Sequence, residues 1–139
     1  HRVHRRQRQM CIRDSPQGLY EFLSSMPSSS KNLPHGTKYH YCSPHSDLLG
    51  WIIERICGEK YYNILSELLF LPAGLKDDAN VTLDKWGASR SAGGISISPY
   101  DLLTLSELVR CYGSNGKNQI IPESWIDDFI NFKNNKCYL

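Results

Sequence analysis

Gly36-Thr37-Lys38-Tyr39-His40-Tyr41-Cys42-Ser43, running through Pro44-His45-Ser46 into Asp47-Leu48-Leu49-Gly50-Trp51-Ile52-Ile53-Glu54, is the stretch on which the fold turns. From Thr37 to Tyr41 it alternates and is partly β-branched or aromatic, which predicts a few residues of extended chain. After Ser46 the period changes. Leu48, Leu49, Ile52, Ile53 and Ile56 recur at helical spacing, and Gly58 supplies a C-terminal stop, so a helix is expected over 46–57. Cys57 closes the apolar face of that helix, where a buried free thiol is the expected state.

Outward from this block, punctuation defines the remaining elements. Lys60 to Phe70 reads as a second helix, closed by Leu71-Pro72-Ala73-Gly74. Gly18 to Ser25 is a short helix ending at Met26-Pro27, followed by a Ser-rich loop and a polar connection through Pro34-His35-Gly36. Asp77 to Ala92 lacks a helical period and is expected as loop, with one short strand around Asn80 to Leu83. Ser98-Pro99-Tyr100-Asp101 is a helix start, with a Ser cap, Pro at the first position and an acid three residues after the cap. That helix should run to Cys111 or Tyr112, before Gly113-Ser114-Asn115-Gly116 turns the chain. Pro122 opens a last helix containing Trp125, Ile126, Phe129 and Ile130. The chain is thus mostly helical, with long connections of the kind that often form binding surfaces.

The amino terminus reads differently. Arg5 to Asp14 follow the codons CGT CGG CAG CGT CAG ATG TGT ATA AGA GAC of a transposase-library adapter in one frame, and Ser15 completes it. Residues 1–15 are therefore expected to be adapter-derived and non-native, with 16–139 a partial domain. This matters for charge. The whole chain carries 16 Lys+Arg against 14 Asp+Glu, but without the five arginines and Asp14 of that arm the counts are 11 and 13, a net charge of −2. The apparent basic tail, and with it the electrostatic case for a nucleic-acid partner, disappears. The whole chain is 40% hydrophobic, an ordinary globular composition. It has no apolar run long enough to span a bilayer. Cys42, Cys57, Cys111 and Cys137 form no CxxC pair or other metal-ligand spacing, so neither a metal nor any other cofactor is called for.

The central block resembles the "P-G-T-x-[FW]-x-Y-[SA]-N … LLG-x-[IV]-[IV]-E" block of the serine β-lactamase-like superfamily. That superfamily includes class C β-lactamases, D-alanyl-D-alanine peptidases, esterases and 6-aminohexanoate-dimer hydrolases. Asp77-Asp78-Ala79-Asn80-Val81-Thr82-Leu83-Asp84, Ala92-Gly93-Gly94-Ile95-Ser96-Ile97-Ser98-Pro99-Tyr100-Asp101-Leu102, and Asn115 to Pro122 followed by Trp125 resemble three further blocks in the right order, closest in flavour to the 6-aminohexanoate-dimer hydrolases. The resemblance covers nearly all of Pro16 to Phe132. It implies an α/β (α+β) fold of the β-lactamase/transpeptidase type, a helical lobe beside an antiparallel sheet that carries helices. This chain would supply mainly the helical lobe and one wall of the active site.

The resemblance also implies a chemistry. In the family a Ser of an S-x-x-K motif attacks a carbonyl, while the Lys and a Tyr phenol share the proton work. Tyr41 matches that Tyr and is the candidate catalytic residue. A free phenol has a pKa near ~10 and is a poor base at neutral pH, so an adjacent ammonium would be part of what makes it useful. The bland alternative is a half-buried tyrosine whose hydroxyl caps a backbone group. Ser43, the candidate substrate-binding residue, stands where the motif has Asn. It offers one short hydroxyl in place of an amide's donor and acceptor, which leans away from a true β-lactamase. The same hydroxyl is equally suited to cap the helix beginning beside Pro44.

Two S-x-x-K matches are rejected. Ser28-Ser29-Ser30-Lys31 lies in a loop too close to Tyr41, and Ser114-Asn115-Gly116-Lys117 lies in a turn and in the wrong order, whereas the motif needs both residues on one turn of a helix. The nucleophile is expected upstream of Pro16 and the family's K-[ST]-G or H-x-G block beyond Leu139. Gly93-Gly94 is read as a tight turn near a cleft rim. His35, His40 and His45 are read as solvated or hydrogen-bonded, since Pro44 breaks any helical pairing. The reading is a serine hydrolase acting on a small-molecule amide or ester through an acyl-enzyme. A non-catalytic ligand-binding or regulatory relative of the same fold is the alternative.

Overall fold

The computed structural model describes residues 18–27 and 41–131. The adapter-like arm, His35, His40, the Ser28–Lys31 motif and Cys137 lie outside the described residues. The chain divides into two compact units, and each is taken by itself. The first holds 18–27, 42–62 and 80–96; the second holds Tyr41, 63–79 and 97–131.

In the first unit α1 is Gly18–Ser24 and α2 is Ser43–Cys57. The strands β1 (Asn80–Val81) and β2 (Ile95–Ser96) pair antiparallel in the register Asn80↔Ser96 and Val81↔Ile95, and an isolated bridge joins Leu83 to Ser89. The expected strand is present, and its partner at Ile95–Ser96 was not read from the sequence. Leu19, Leu23 and Ala88 form a small core, flanked by Tyr20, Phe22 and Trp51. Tyr20 stacks on Trp51 with ring centroids 4.8 Å apart and planes 10° from parallel, a favourable offset aromatic pair.

Carboxylates hold the loops around that core. Asp84 Oδ2 accepts from Leu19 N at 2.7 Å, and its Oδ1 accepts from Trp86 N and Ala88 N, each at 2.8 Å. Glu54 accepts from the Tyr20 hydroxyl and, at 2.9 Å, from Tyr61 N. Burial and that bond to Glu54 push the Tyr20 phenol above its ordinary range.

The helix α2 lies where its period places it, but it starts three residues earlier, at Ser43, and its burial is inverted. The enclosed positions are Asp47, Gly50 and Glu54, while Leu49 is 61% and Ile56 79% exposed. Cys57 is exposed, a correction to the buried thiol expected from the sequence. The physical reason lies in the partners. Asp47 and Glu54 find hydrogen-bond donors inside this unit, so the polar face is satisfied there and the apolar face points outward.

The second unit begins with a helical run. It comprises α3 (Tyr61–Leu65, its first two residues grouped with the first unit), a π turn (Ser66–Phe70) and α4 (Leu71–Ala73), ending at Gly74. The sequence predicts a regular helix here. The wide turn, in which Leu71 N donates to Ser66 O, precedes Pro72, whose ring would clash with the Leu68 carbonyl in regular α geometry. The next helix, α5 (Pro99–Arg110), starts as expected, with Ser98 Oγ accepting from Asp101 N at 3.2 Å. Its carboxylate reaches outward to accept from Lys76 N at 2.9 Å and Asp77 N at 3.1 Å. The last helix, α6 (Glu123–Ile130), follows Pro122. Among the described residues of this unit, Ile64, Ala73, Leu108 and Ile126 are the buried apolar ones.

Candidate functional site

Tyr41 is 75% exposed, immediately before the helix α2. Cys42, with φ −148° and ψ 103°, is the cap position of α2 and makes no side-chain capping bond. Ser43 is already the first helical residue and is partly buried, so it does not take the cap position that the sequence left open to it. Pro44 sits in the first turn, where its fixed φ suits the helix and its missing N–H costs nothing.

One turn further along, Asp47 ties the loop 90–94 to the helix. It is only 2% exposed, and its Oδ1 accepts from Ala92 N at 2.9 Å. Arg90 Nε lies 3.2 Å from its Oδ2, close enough for an ion pair but not aligned as a donor. Ser91 Oγ donates to Ser46 O at 2.6 Å. This approach requires the glycine of Leu48-Leu49-Gly50. A Cβ at Gly50 would stand 2.3 Å from Ser91 Oγ and 2.8 Å from its Cβ. Gly94, at φ 97°, completes the loop, and its carbonyl accepts from Thr82 N at 2.8 Å. Gly93-Gly94 therefore serves the turn that the sequence predicts.

Asp47 and Arg90 are absent from the candidates drawn from the sequence. The available signal was the register of Asp47, Gly50 and Glu54, an acid, a glycine and an acid along one helical stripe. The rejected motif at Ser114 is a turn in the structure. Ser114 Oγ accepts from Gly116 N at 3.1 Å, and Asn115 Oδ1 accepts from Lys117 N and Asn118 N at 2.9 and 2.8 Å. Among the described residues no group of three His, Cys, Asp or Glu side chains is placed to hold a metal ion. No helix there is long and apolar enough to cross a membrane. A groove of about 540 Å³ in the second unit is lined by Ala73, Tyr100, Leu103, Glu107, Cys111 and Asn115, among others, and neither Tyr41 nor Ser43 borders it.

No family model matches the chain. A solved structure described as "Putative 6-aminohexanoate-dimer hydrolase from Bacillus anthracis" matches 85% of this chain with a TM-score of 0.75 and 24% identity, over 30% of its own length. The fold class is therefore part of a 6-aminohexanoate-dimer hydrolase-like fold, of which the described residues are a mainly helical portion with a small sheet. A 6-aminohexanoate-dimer hydrolase of Paenarthrobacter ureafaciens is 28% identical over 116 residues, covering 83% of this chain. The chain is related to these β-lactamase-like proteins, and it spans 28% of the length of that curated relative.

Proposed function

We propose that this chain is a portion of a serine hydrolase of the β-lactamase-like class, cleaving a small-molecule amide or ester through an acyl-enzyme. The observation that supports this best is Tyr41, held in the open directly before α2 in a chain related to hydrolases. A serine from an S-x-x-K motif outside residues 16–139 would attack the carbonyl carbon and pass its proton toward the Lys and Tyr41. Tyr41 would then return a proton to the leaving amine or alcohol as the C–N or C–O bond breaks. Water would release the acyl group. Ser43, with a hydroxyl in place of an amide, favours an open-chain amide or ester over a β-lactam.

The source locus, sequenced across the Ser15–Pro16 junction and expressed in full, tests this. An in-frame upstream S-x-x-K and an acyl adduct with an activated ester, seen by mass spectrometry, are the expected results. Tyr41→Phe keeps the ring and should lower turnover by roughly 10²–10⁴. Stability should change by no more than about 0.5–1.5 kcal/mol. Ser43→Ala should do much less. A locus without S-x-x-K, or a Tyr41→Phe enzyme with native turnover on both a p-nitrophenyl ester and an amide, would overturn the mechanism and leave a non-catalytic ligand-binding relative.

A further inference from the structure

Ser114-Asn115-Gly116-Lys117, rejected as a nucleophile motif, carries a different chemistry. Asn115 is the asparagine of the sequence that precedes glycine; every other asparagine precedes a residue with a side chain. A glycine nitrogen approaches a neighbouring side-chain carbonyl with the least hindrance, because no Cβ stands beside it. At Gly116, with φ 82°, the space that a Cβ would fill is open. Asn115 and Gly116 are both exposed, so water reaches them. The fold nevertheless pins the pair. Asn115 Oδ1 accepts from Lys117 N and Asn118 N at 2.9 and 2.8 Å, and its Nδ2 donates to Pro72 O at 2.9 Å. Gly116 N donates to Ser114 Oγ at 3.1 Å.

We propose that Asn115-Gly116 is a self-deamidating site, that the folded turn holds the reaction back, and that the product loses its tie to Pro72. In the reaction the Gly116 nitrogen gives up its proton and bonds to Asn115 Cγ. The Cγ–Nδ2 bond breaks, and Nδ2 leaves with a proton as ammonia. Water then opens the succinimide. Cleavage of the bond to Cγ gives Asp, whereas cleavage at the Asn115 backbone carbonyl gives isoaspartate, with Cβ and Cγ now in the main chain. Before the ring can close, the side chain must leave Lys117, Asn118 and Pro72, and Gly116 N must leave Ser114. Deamidation therefore waits on local opening of the turn. In the Asp product a carboxylate oxygen stands where Nδ2 stood and faces the Pro72 carbonyl, two acceptors with no proton between them. None of this depends on the reading of the chain as a hydrolase.

The test incubates the 139-residue chain at mildly alkaline pH, with and without denaturant, and follows the tryptic peptide 111–117, whose amide side chain is Asn115 alone. Mass spectrometry should show NH2 replaced by OH, and isoaspartate should be detected by methyltransferase labelling. The native chain should react at least about tenfold more slowly than the denatured one, since the pinning bonds must open first. Asn115→Gln, which would have to close a larger ring, should stay unmodified in both. Ser114→Ala frees the Gly116 nitrogen and should speed the native reaction while leaving the denatured rate unchanged. Asn115→Asp should unfold at a lower denaturant midpoint than the parent. An absence of the acid form in denaturant overturns the site. A native rate equal to the denatured one overturns the protection. So does a faster native rate, in which the Lys117 and Asn118 amides would be serving Oδ1 as an oxyanion site. A native Ser114→Ala rate equal to the parent's removes Ser114 from the restraint, and an unchanged midpoint in Asn115→Asp overturns the tie to Pro72.

Discussion

The two units enclose their acidic side chains in different ways. In the first, Asp47, Glu54 and Asp84 are all buried, around an apolar core that among the described residues comprises Leu19, Leu23 and Ala88. In the second, Asp101 is the one buried acid among the described residues, beside Ile64, Ala73, Leu108 and Ile126. A buried carboxylate is tolerated only when donors surround it, and most of the donors here are backbone amides, each committed to one position. The first unit is therefore specified by hydrogen-bond geometry, and its apolar helix stripe is left free to face outward. The second is specified more by apolar burial, which is less directional and tolerates more change in detail.

That contrast breaks first at Asp84, where the largest effect is expected. Asp84→Ala strips the acceptor from Leu19 N, Trp86 N and Ala88 N at once. Leaving a buried donor unsatisfied costs about 1–3 kcal/mol for each group, which is enough here to open the whole first unit. Amide hydrogen exchange should show protection lost in α1 and α2 and retained in α5. Equal loss in α5 would mean that the two units do not differ as described.

A smaller effect is expected at Gly50. A methyl group there collides with Ser91 Oγ and Cβ, so the loop 90–94 must shift or the helix must yield. Gly50→Ala should lower the denaturant midpoint by the cost of overpacking, roughly 1–3 kcal/mol, although alanine is the better helix former. A gain in stability would show that the loop gives way freely and that Asp47 does not fix it.

These sites also show how far the sequence could be read. The stop of α2, the bounds of α5 and the start of α6 were legible because caps, prolines and glycines act locally: Ser98 accepts from Asp101 N as its spacing foretells. The turn nature of Ser114-Asn115-Gly116 was legible for the same reason. The inverted burial of α2 was not. Helical period identifies an apolar stripe but says nothing about which neighbour receives it, and here Arg90, Ala92, Tyr20 and Tyr61 claim the opposite stripe. Strand β2 escaped notice because Ile95–Ser96 is two residues long and follows Gly93-Gly94, leaving no alternation to detect. Of the candidate site, Tyr41 was found through a motif, and its exposure is seen only in the structure. Asp47 and Arg90, separated by 43 residues, are joined only by the fold.

The smallest effect expected is in acid, and it separates Asp101 from the exposed acid on its own helix. Hydrogen bonds from the Lys76 and Asp77 backbones hold the Asp101 carboxyl below its ordinary range against the opposing influence of burial. Its contribution to stability is therefore complete above the unfolded value near ~3.9 and is lost as the pH falls through the lower folded value. Asp101→Asn removes that proton-linked part, so the variant should lose less stability than the parent when denaturant midpoints are compared between mildly and strongly acid buffers. Glu107 provides the contrast. Arg110, bonded to it at 2.6 and 2.7 Å, draws its carboxyl down to about 2, yet the pair stands in solvent on the surface of α5. Solvent and salt screen such a pair, so Glu107→Gln should leave the acid limb of the curve nearly unchanged. If Glu107→Gln flattens that limb as much as Asp101→Asn does, the acid response belongs to exposed charge, and the buried carboxylate of the second unit is no counterpart to those of the first.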